Sequence, residues 1–240
     1  MRNRKFRLIG GALVIVAVGL LGLRTAYHFE WFPFRNLLVY GSSDVFTHGN
    51  PSVKTIALTF DDGPHPNVTP HLLRILRQYQ VHATFFVVGE MAARHPEIIR
   101  QTMADGHTIG NHTAHHPQLR KMSKEQITAE WQECSQILAR ITGTAPSFCR
   151  PPHGRSNRRI VMSAKSVGLK MVCWSYAPND MSPVSSAFNI TTRILKHARN
   201  GDIFLLHDGN QATLDALPDI ITGLRKRGFE LVTIAEMARE

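Results

Sequence analysis

From Val53 onward the chain alternates short apolar runs with longer amphipathic stretches, and this rhythm constrains its fold more than any other feature. The candidate strands are 54–60, 83–88, 107–110, 146–150, 170–174, 202–206 and 229–232. Helical patterns lie between them near 68–80, 91–105, 123–142, 156–167, 187–199, 214–227 and 233–238. Strands alternating with helices imply a mostly parallel sheet with right-handed crossovers. About seven such units suit a barrel or an incomplete barrel better than a flat sheet. A chain of 240 residues with 43% hydrophobic content can fill one sizeable core.

Several boundaries have local chemical support. Ser123 with Gln126 is a capping-box pattern that opens a long helix, and Thr233 with Glu236 is another. Gly106, Gly143, Gly168, Gly201 and Gly228 stand where helices should stop. Leu72, Leu73, Ile75 and Leu76 form a helical apolar face of the kind that packs a core.

The first 24 residues are of a different kind. Arg2, Arg4, Lys5 and Arg7 precede an uncharged run from Leu8 to Leu23, which Arg24 closes. As a helix this run spans ~24 Å, slightly less than a ~30 Å hydrocarbon core, and Tyr27, Trp31 and Phe32 extend it as interfacial anchors. Gly22-Leu23-Arg24 lacks the small-residue pattern of a cleavage site, so residues 1–26 are expected to be an uncleaved signal anchor. The excess of basic residues before the run places the N-terminus in the cytoplasm and the remainder outside; secretion after cleavage is the alternative. Residues 27–52, rich in Gly, Ser, Pro and Asn towards the end, read as a linker or irregular cover, and 53–240 as the folded domain.

The net charge is +10, from 28 Lys and Arg against 18 Asp and Glu. Five of those basic residues and none of the acids fall in 1–24, so the remainder carries +5. That balance suits an anionic envelope polymer or lipid headgroups. No dense basic helix and no basic-aromatic interleaving is present, which argues against a nucleic-acid partner. Cys134, Cys149 and Cys173 are too few for a disulfide framework and too far apart for a zinc knuckle, and read as small buried side chains.

In parallel architectures function gathers at the C-terminal ends of strands. Five polar clusters fall at five such ends: Asp61-Asp62, residues 111–117, residues 150–154, residues 174–180 and His207-Asp208-Gly209. Adjacent carboxylates repel each other, so a cation or two separate chemical jobs would account for Asp61 and Asp62. His112 and His116 are four apart, which on one helical turn puts both imidazoles on one face, with His115 pointing elsewhere. Two imidazoles and one carboxylate would hold a divalent ion with positions left for water and substrate. The other carboxylate would then be free to act as a base. His207 is a candidate general acid, because histidine titrates near neutrality. Arg150, beside two prolines, suits pairing with a fixed carboxylate.

With these residues in view, the sequence resembles the NodB-type polysaccharide deacetylases, the family 4 carbohydrate esterases. Thr59-Phe60-Asp61-Asp62-Gly63-Pro64 matches the first family motif, His112-Thr113-x-x-His116 the second, Arg150-Pro151-Pro152-x-Gly154 the third and Leu205-x-His207 the fifth. The resemblance covers roughly residues 53–235. It implies a distorted (β/α)7 barrel that hydrolyses N-acetyl groups on amino sugars. It further implies that Asp61 is the general base, that Asp62, His112 and His116 hold the metal, that His207 is the general acid and that Arg150 positions Asp61. The backbone N–H of His153 would face the oxyanion, with Pro152, Met181 and Leu205 on the substrate side. Two departures stand out. His153 replaces a Tyr or Phe, and Ala177-Pro178-Asn179-Asp180-Met181 replaces Asp-x-x-Asp-Trp, so that Asp180 is retained to orient His207 while Met181 takes the place of the Trp.

The expected activity is thus metal-dependent deacetylation of an amino-sugar polymer, such as a chitin oligomer or a peptidoglycan-like strand, outside the cytoplasm. The expected cofactor is one divalent ion, zinc by default, with Co, Ni, Fe or Mn able to use the same ligands. The expected partners are an N-acetylated polysaccharide or oligosaccharide and a membrane, contacted through residues 8–23. Two alternatives keep less of this picture: an O-acetyl sugar esterase or non-sugar amide hydrolase on the same metal site, and a non-catalytic polysaccharide-binding relic.

Overall fold

A computed structural model of the protein describes residues 44–240. The expected anchor over 1–26, with its apolar run 8–23, and most of the expected linker lie outside the described residues. Among the described residues no helix is long and apolar enough to cross a membrane.

The strands are β1 (Val45–Phe46), β2 (Thr55–Asp61), β3 (Thr84–Val87), β4 (Thr108–Asn111), β5 (Phe148–Cys149), β6 (Lys170–Val172), β7 (Asp202–His207) and β8 (Glu230–Leu231). The helices are α1 (Thr69–Gln78), α2 (Gly89–Arg94), α3 (Pro96–Ala104), α4 (Lys124–Thr142), α5 (Arg158–Ser166), α6 (Ala187–His197), α7 (Gln211–Lys226) and α8 (Ile234–Met237). Short 3-10 turns occupy Leu119–Lys121 and Pro152–Gly154. Every strand pairing is parallel, in the order β1-β6-β5-β4-β3-β2-β7, with β8 beside the start of β2. The sheet curls, and beyond β6 a single parallel bridge joins Tyr176 to Phe204 of β7. The architecture is a curled, parallel-stranded half-barrel, a coarser form of the expected seven-unit barrel. β1 adds an edge strand inside the stretch expected to be linker.

β2 is the central element, buried at all of its positions. Side chains alternate between the two faces of a strand. Ile56, Leu58 and Phe60 pack outward into the main core with Leu72 and Leu76 of α1 and Leu217, Ile220 and Leu224 of α7. Ala57 points the other way, into an inner cluster with Phe86, Val172 and Ile203. Thr59 and Asp61 share that inward parity. In register, Asp61 lies beside His207 of β7 on one side and Phe86 of β3 on the other. The strand that anchors the core therefore delivers a carboxylate to the inside of the mouth.

The capping boxes at Ser123 and Thr233 are both formed, and Gly106, Gly143, Gly168, Gly201 and Gly228 all have positive φ. The helix expected over 91–105 is instead two helices that break between His95 and Pro96. Proline has no N–H to give and drives the residue before it out of the helical region, and His95 sits at φ −131°, ψ 56°. α7 starts at Gln211 rather than at 214, because the Asn210 carboxamide oxygen accepts the N–H groups of Ala212 and Thr213. The three cysteines are free and buried.

Candidate active site

β2 ends in Asp61, and the chain turns at once through Asp62, whose φ is 73°. An aspartate tolerates this left-handed region better than most residues, and here it swings the second carboxylate away from the first. Asp62 Oδ1 lies 3.3 Å from His112 Nε2 and 3.1 Å from His116 Nε2. One ligand atom from each of the three residues falls within 4.8 Å of the others. Asp61 is buried and stays off this group, with its Oδ2 3.9 Å from His112 Nε2.

The expected helical turn across His112 and His116 is corrected by the structure. Thr113 and His116 have φ of 72° and 55°, so the segment is a tight loop. Asn111 builds that loop. Its side-chain oxygen accepts the Thr113 N–H at 2.8 Å, while its Nδ2 donates to the Trp131 carbonyl and to Ser135 Oγ on α4. The Thr113 hydroxyl then accepts the His116 N–H. Convergence of the two imidazoles thus comes from an Asn-anchored turn. His115 points away and pairs with Glu130, as its position between the two histidines suggested.

His112 Nδ1 is 2.8 Å from the Arg150 carbonyl oxygen. A carbonyl only accepts, so Nδ1 carries a hydrogen and Nε2 faces Asp62; in the neutral ring Nε2 offers a lone pair to an ion, and in the charged one a proton to Asp62. The neutral form is the tautomer a metal ligand needs. Burial alone would raise the Asp62 carboxyl, but hydrogen bonds and charge from His112 and His116 hold it well below the ordinary carboxylate range. Two imidazole nitrogens and one carboxylate oxygen, with one tautomer fixed from behind, fit a borderline divalent ion.

Arg150, fully buried, organises the interior behind this group. Its Nη1 donates to Asp61 Oδ1 and to Thr59 Oγ1, both at 2.7 Å. Its Nε and Nη2 donate to the carbonyls of Val172 and Cys173. The guanidinium sits 4.1 Å from the ring centre of Phe86 and 5.6 Å from that of Trp174.

His207 stands across the mouth at the end of β7. Asp180 receives its Nδ1–H at 2.9 Å and its backbone N–H at 2.8 Å. Thr213 gives its hydroxyl to the same carboxylate. Burial lowers the His207 pKa, but the bond and charge of Asp180 outweigh it and leave the group above its ordinary value. With Nδ1 engaged by Asp180, Nε2 is the ring nitrogen that remains.

Of the residues expected on the substrate side, Pro152 is buried, and His153 is exposed at φ 57° with its ring edge-on to His116 at 4.8 Å. Leu205 is buried on β7. Met181 is 58% exposed on the rim, where its sulfur meets the Asn210 side chain.

Sequence reasoning gave no role to Asp208, Thr59 or Trp174. Asp208 packs over Gly63, takes the Thr69 hydroxyl at 2.6 Å and keeps its other oxygen unpartnered. Burial pushes it up to about 6. The His-Asp-Gly run at a strand end was the available signal. Thr59 was legible only as the inward-facing neighbour of Asp61. A pocket at the opposite end of β4 and β5, lined by His107, Ile109 and Phe148, holds none of these groups.

The family model described as polysaccharide deacetylase matches residues 48–172. A peptidoglycan-N-acetylglucosamine deacetylase of Bacillus cereus is 37% identical over 191 residues, covering 78% of this chain and 89% of the relative. A chitooligosaccharide deacetylase of Azorhizobium caulinodans is 38% identical over 192 residues, covering 74% and 91%. The crystal structure of a peptidoglycan N-acetylglucosamine deacetylase bound to a naphthyl N-hydroxybenzamide superimposes with a TM-score of 0.78 at 35% identity, over 81% of this chain and 92% of that one. With a family match over more than half its length and relatives this similar, the chain belongs to the polysaccharide deacetylases, hydrolases that remove N-acetyl groups from polysaccharides.

Proposed function

We propose that this protein is a metal-dependent deacetylase acting outside the cytoplasm on an amino-sugar polymer of the peptidoglycan or chitin-oligomer type. The observation that carries the reading is the convergence of Asp62, His112 and His116 between two separately buttressed groups, Asp61 on Arg150 and His207 on Asp180. Asp62, His112 and His116 would hold the ion, zinc by default. A divalent ion there supplies Lewis acidity towards the acetyl carbonyl and the attacking water.

The protein's own residues account for the proton movements. Asp61, fixed by Arg150 and clear of the ligand group, takes a proton from water as the water oxygen bonds to the acetyl carbon. The His153 N–H stabilises the negative oxygen that develops. His207 gives its Nε2 proton to the amide nitrogen as the C–N bond breaks, because an unprotonated amine is a poor leaving group. Acetate and the free amino sugar result. Asp180 supports this acid by keeping the proton on Nδ1 and the ring in place, which leaves Nε2 to serve the substrate.

Asp61→Asn and His207→Ala should each abolish acetate release while far-UV circular dichroism shows the fold retained; Asp61→Asn should also melt lower, because it leaves the buried Arg150 guanidinium without its carboxylate. Near-normal release by either variant would sink the assignment. Chelation should likewise abolish release, and added zinc should restore it. A second reading, an O-acetyl sugar esterase on the same site, draws on the 177–181 segment, where Met181 lies exposed rather than closing a pocket wall. Acetate release from chitin oligomers, peptidoglycan and acetylated xylan separates the two.

A further inference from the structure

The loops that follow β4 and β5 meet at the mouth, where His116 of one touches His153 of the other. Both loops run on into exposed cations: Arg120, Lys121 and Lys124 after the first, Arg155, Arg158 and Arg159 after the second. The two groups form one surface, because Arg159 Nη2 donates to the Arg120 carbonyl at 3.1 Å. Among the described residues none of the six forms an ion pair, whereas Arg77, Arg94 and Lys165 elsewhere each have a carboxylate partner.

Local stability does not explain this placement. Arg158 and Arg159 are the first two residues of α5, and its first turn holds no acid. A helix start carries partial positive charge, so cations there oppose the macrodipole. Glu125 is the acid set among them. Its carboxyl is held below its ordinary value by its own backbone N–H and the Ser123 hydroxyl, with Lys124 and Arg159 adding to the effect. The surface is continuous with the mouth, since Arg155 lies two residues beyond His153, whose ring meets that of His116 at 4.8 Å.

We propose that this ridge reads carboxylates on the substrate strand itself, so that the enzyme acts on an anionic glycan in preference to a neutral one. Guanidinium forks match carboxylates two bonds at a time, and lysines add point charge. A polymer with one acetyl group at Asp62, His112 and His116 must cross the mouth, and on the His153 side it passes over the ridge. The inference rests on the deacetylase reading above and narrows its substrate class.

The test compares the full chain with a Lys121→Gln/Lys124→Gln/Arg158→Gln variant, which spares Arg159 and its bond to the 119–121 turn. Substrates are a neutral chitooligosaccharide, soluble peptidoglycan strands with free peptide carboxylates, and the same strands with those carboxylates amidated. Wild-type kcat/KM on the free strands should exceed that on amidated strands about tenfold, mainly through KM, and should fall steeply with salt. The variant should lose about that factor on free strands and stay within about twofold of wild type on the neutral oligomer. Equal rates for variant and wild type on free strands would overturn the ridge, as would an equal loss on the neutral oligomer. Loss of binding to phosphatidylglycerol vesicles with glycan turnover unchanged would also overturn it, in favour of a membrane contact. Co-sedimentation with the strands, read without turnover, separates the two claims. Charge-dependent binding without acetate release would refute the deacetylase reading and keep the ridge, and release without charge-dependent binding would do the reverse.

Discussion

Arg150→Met tests whether the interior of this protein is organised around a charge pair rather than around apolar packing. The guanidinium is fully buried and Asp61 is 4% exposed, so neither can turn to water when the other is removed. Methionine approximates the aliphatic volume of arginine. The substitution would delete the bonds to Asp61 and Thr59, and those to the carbonyls of Val172 and Cys173, and would leave the Asp61 carboxylate without its cation. Breaking a buried pair from one side costs about 3–5 kcal/mol, and for a domain of this size each kcal/mol lowers the melting temperature by about 2–4 °C. A fall of about 10 °C is expected, with urea unfolding showing a lower midpoint at unchanged slope.

The second half of the cycle makes the reasoning refutable. Asp61→Asn/Arg150→Met removes both charges and leaves neutral groups in their place. Replacing a whole buried pair is often close to neutral, so the double variant should be more stable than Arg150→Met alone by at least about 1–2 kcal/mol. If the double variant is no more stable, the stranded carboxylate is not the source of the loss. The cost would then lie in the carbonyls of Val172 and Cys173 and in the lost stacking on Phe86, which the double variant does not restore. Both variants should release no acetate, so stability alone decides between these accounts.

Asp180→Asn should lower kcat by up to about 10²–10⁴-fold, the range of a positioned general acid, and should change the pH profile in a defined direction. Asp180 raises the His207 pKa, so removing its charge moves the loss of activity on the alkaline side to lower pH. The raised pKa also stabilises the fold, fully so below the unfolded histidine value, with the contribution lost as pH rises through the folded one; the variant should lack this low-pH gain in melting scans. An alkaline limb that stays in place would refute the role given to Asp180. Asp208→Asn should behave in the opposite way and stabilise the protein. The folded pKa of about 6 lies above the ordinary 3.8, so the native carboxylate loses stability as pH rises between those values. The variant should gain up to about 3 kcal/mol near neutral pH and nothing in acid, read by urea unfolding.

The parts of this molecule that were legible in the sequence are those set by local periodicity and by end signals. All seven expected strands appear within a few residues of their expected positions, and the capping boxes and the αL glycines Gly106, Gly143, Gly168 and Gly228 mark real helix ends. What was not legible depends on residues far apart in the chain. β1 is too short to carry a pattern, and it exists because Val45 and Phe46 find an open edge on β6. The His112–His116 spacing was read as a helical turn, but the histidines converge because Asn111, buried beneath the loop, ties it to Trp131 and Ser135 on α4. The same distinction explains why the paired aspartates could be noticed but not separated by pattern alone. Period-two alternation commits Asp61 to the inner face, where Arg150 arrives from a strand 89 residues later in the chain. Only the positive φ of Asp62 turns its own carboxylate towards the two histidines. A strand end can hold two carboxylates side by side when each leaves the backbone in a different direction and meets a different positive or proton-donating group. The geometry that removes their repulsion is also the geometry that gives them separate chemistry.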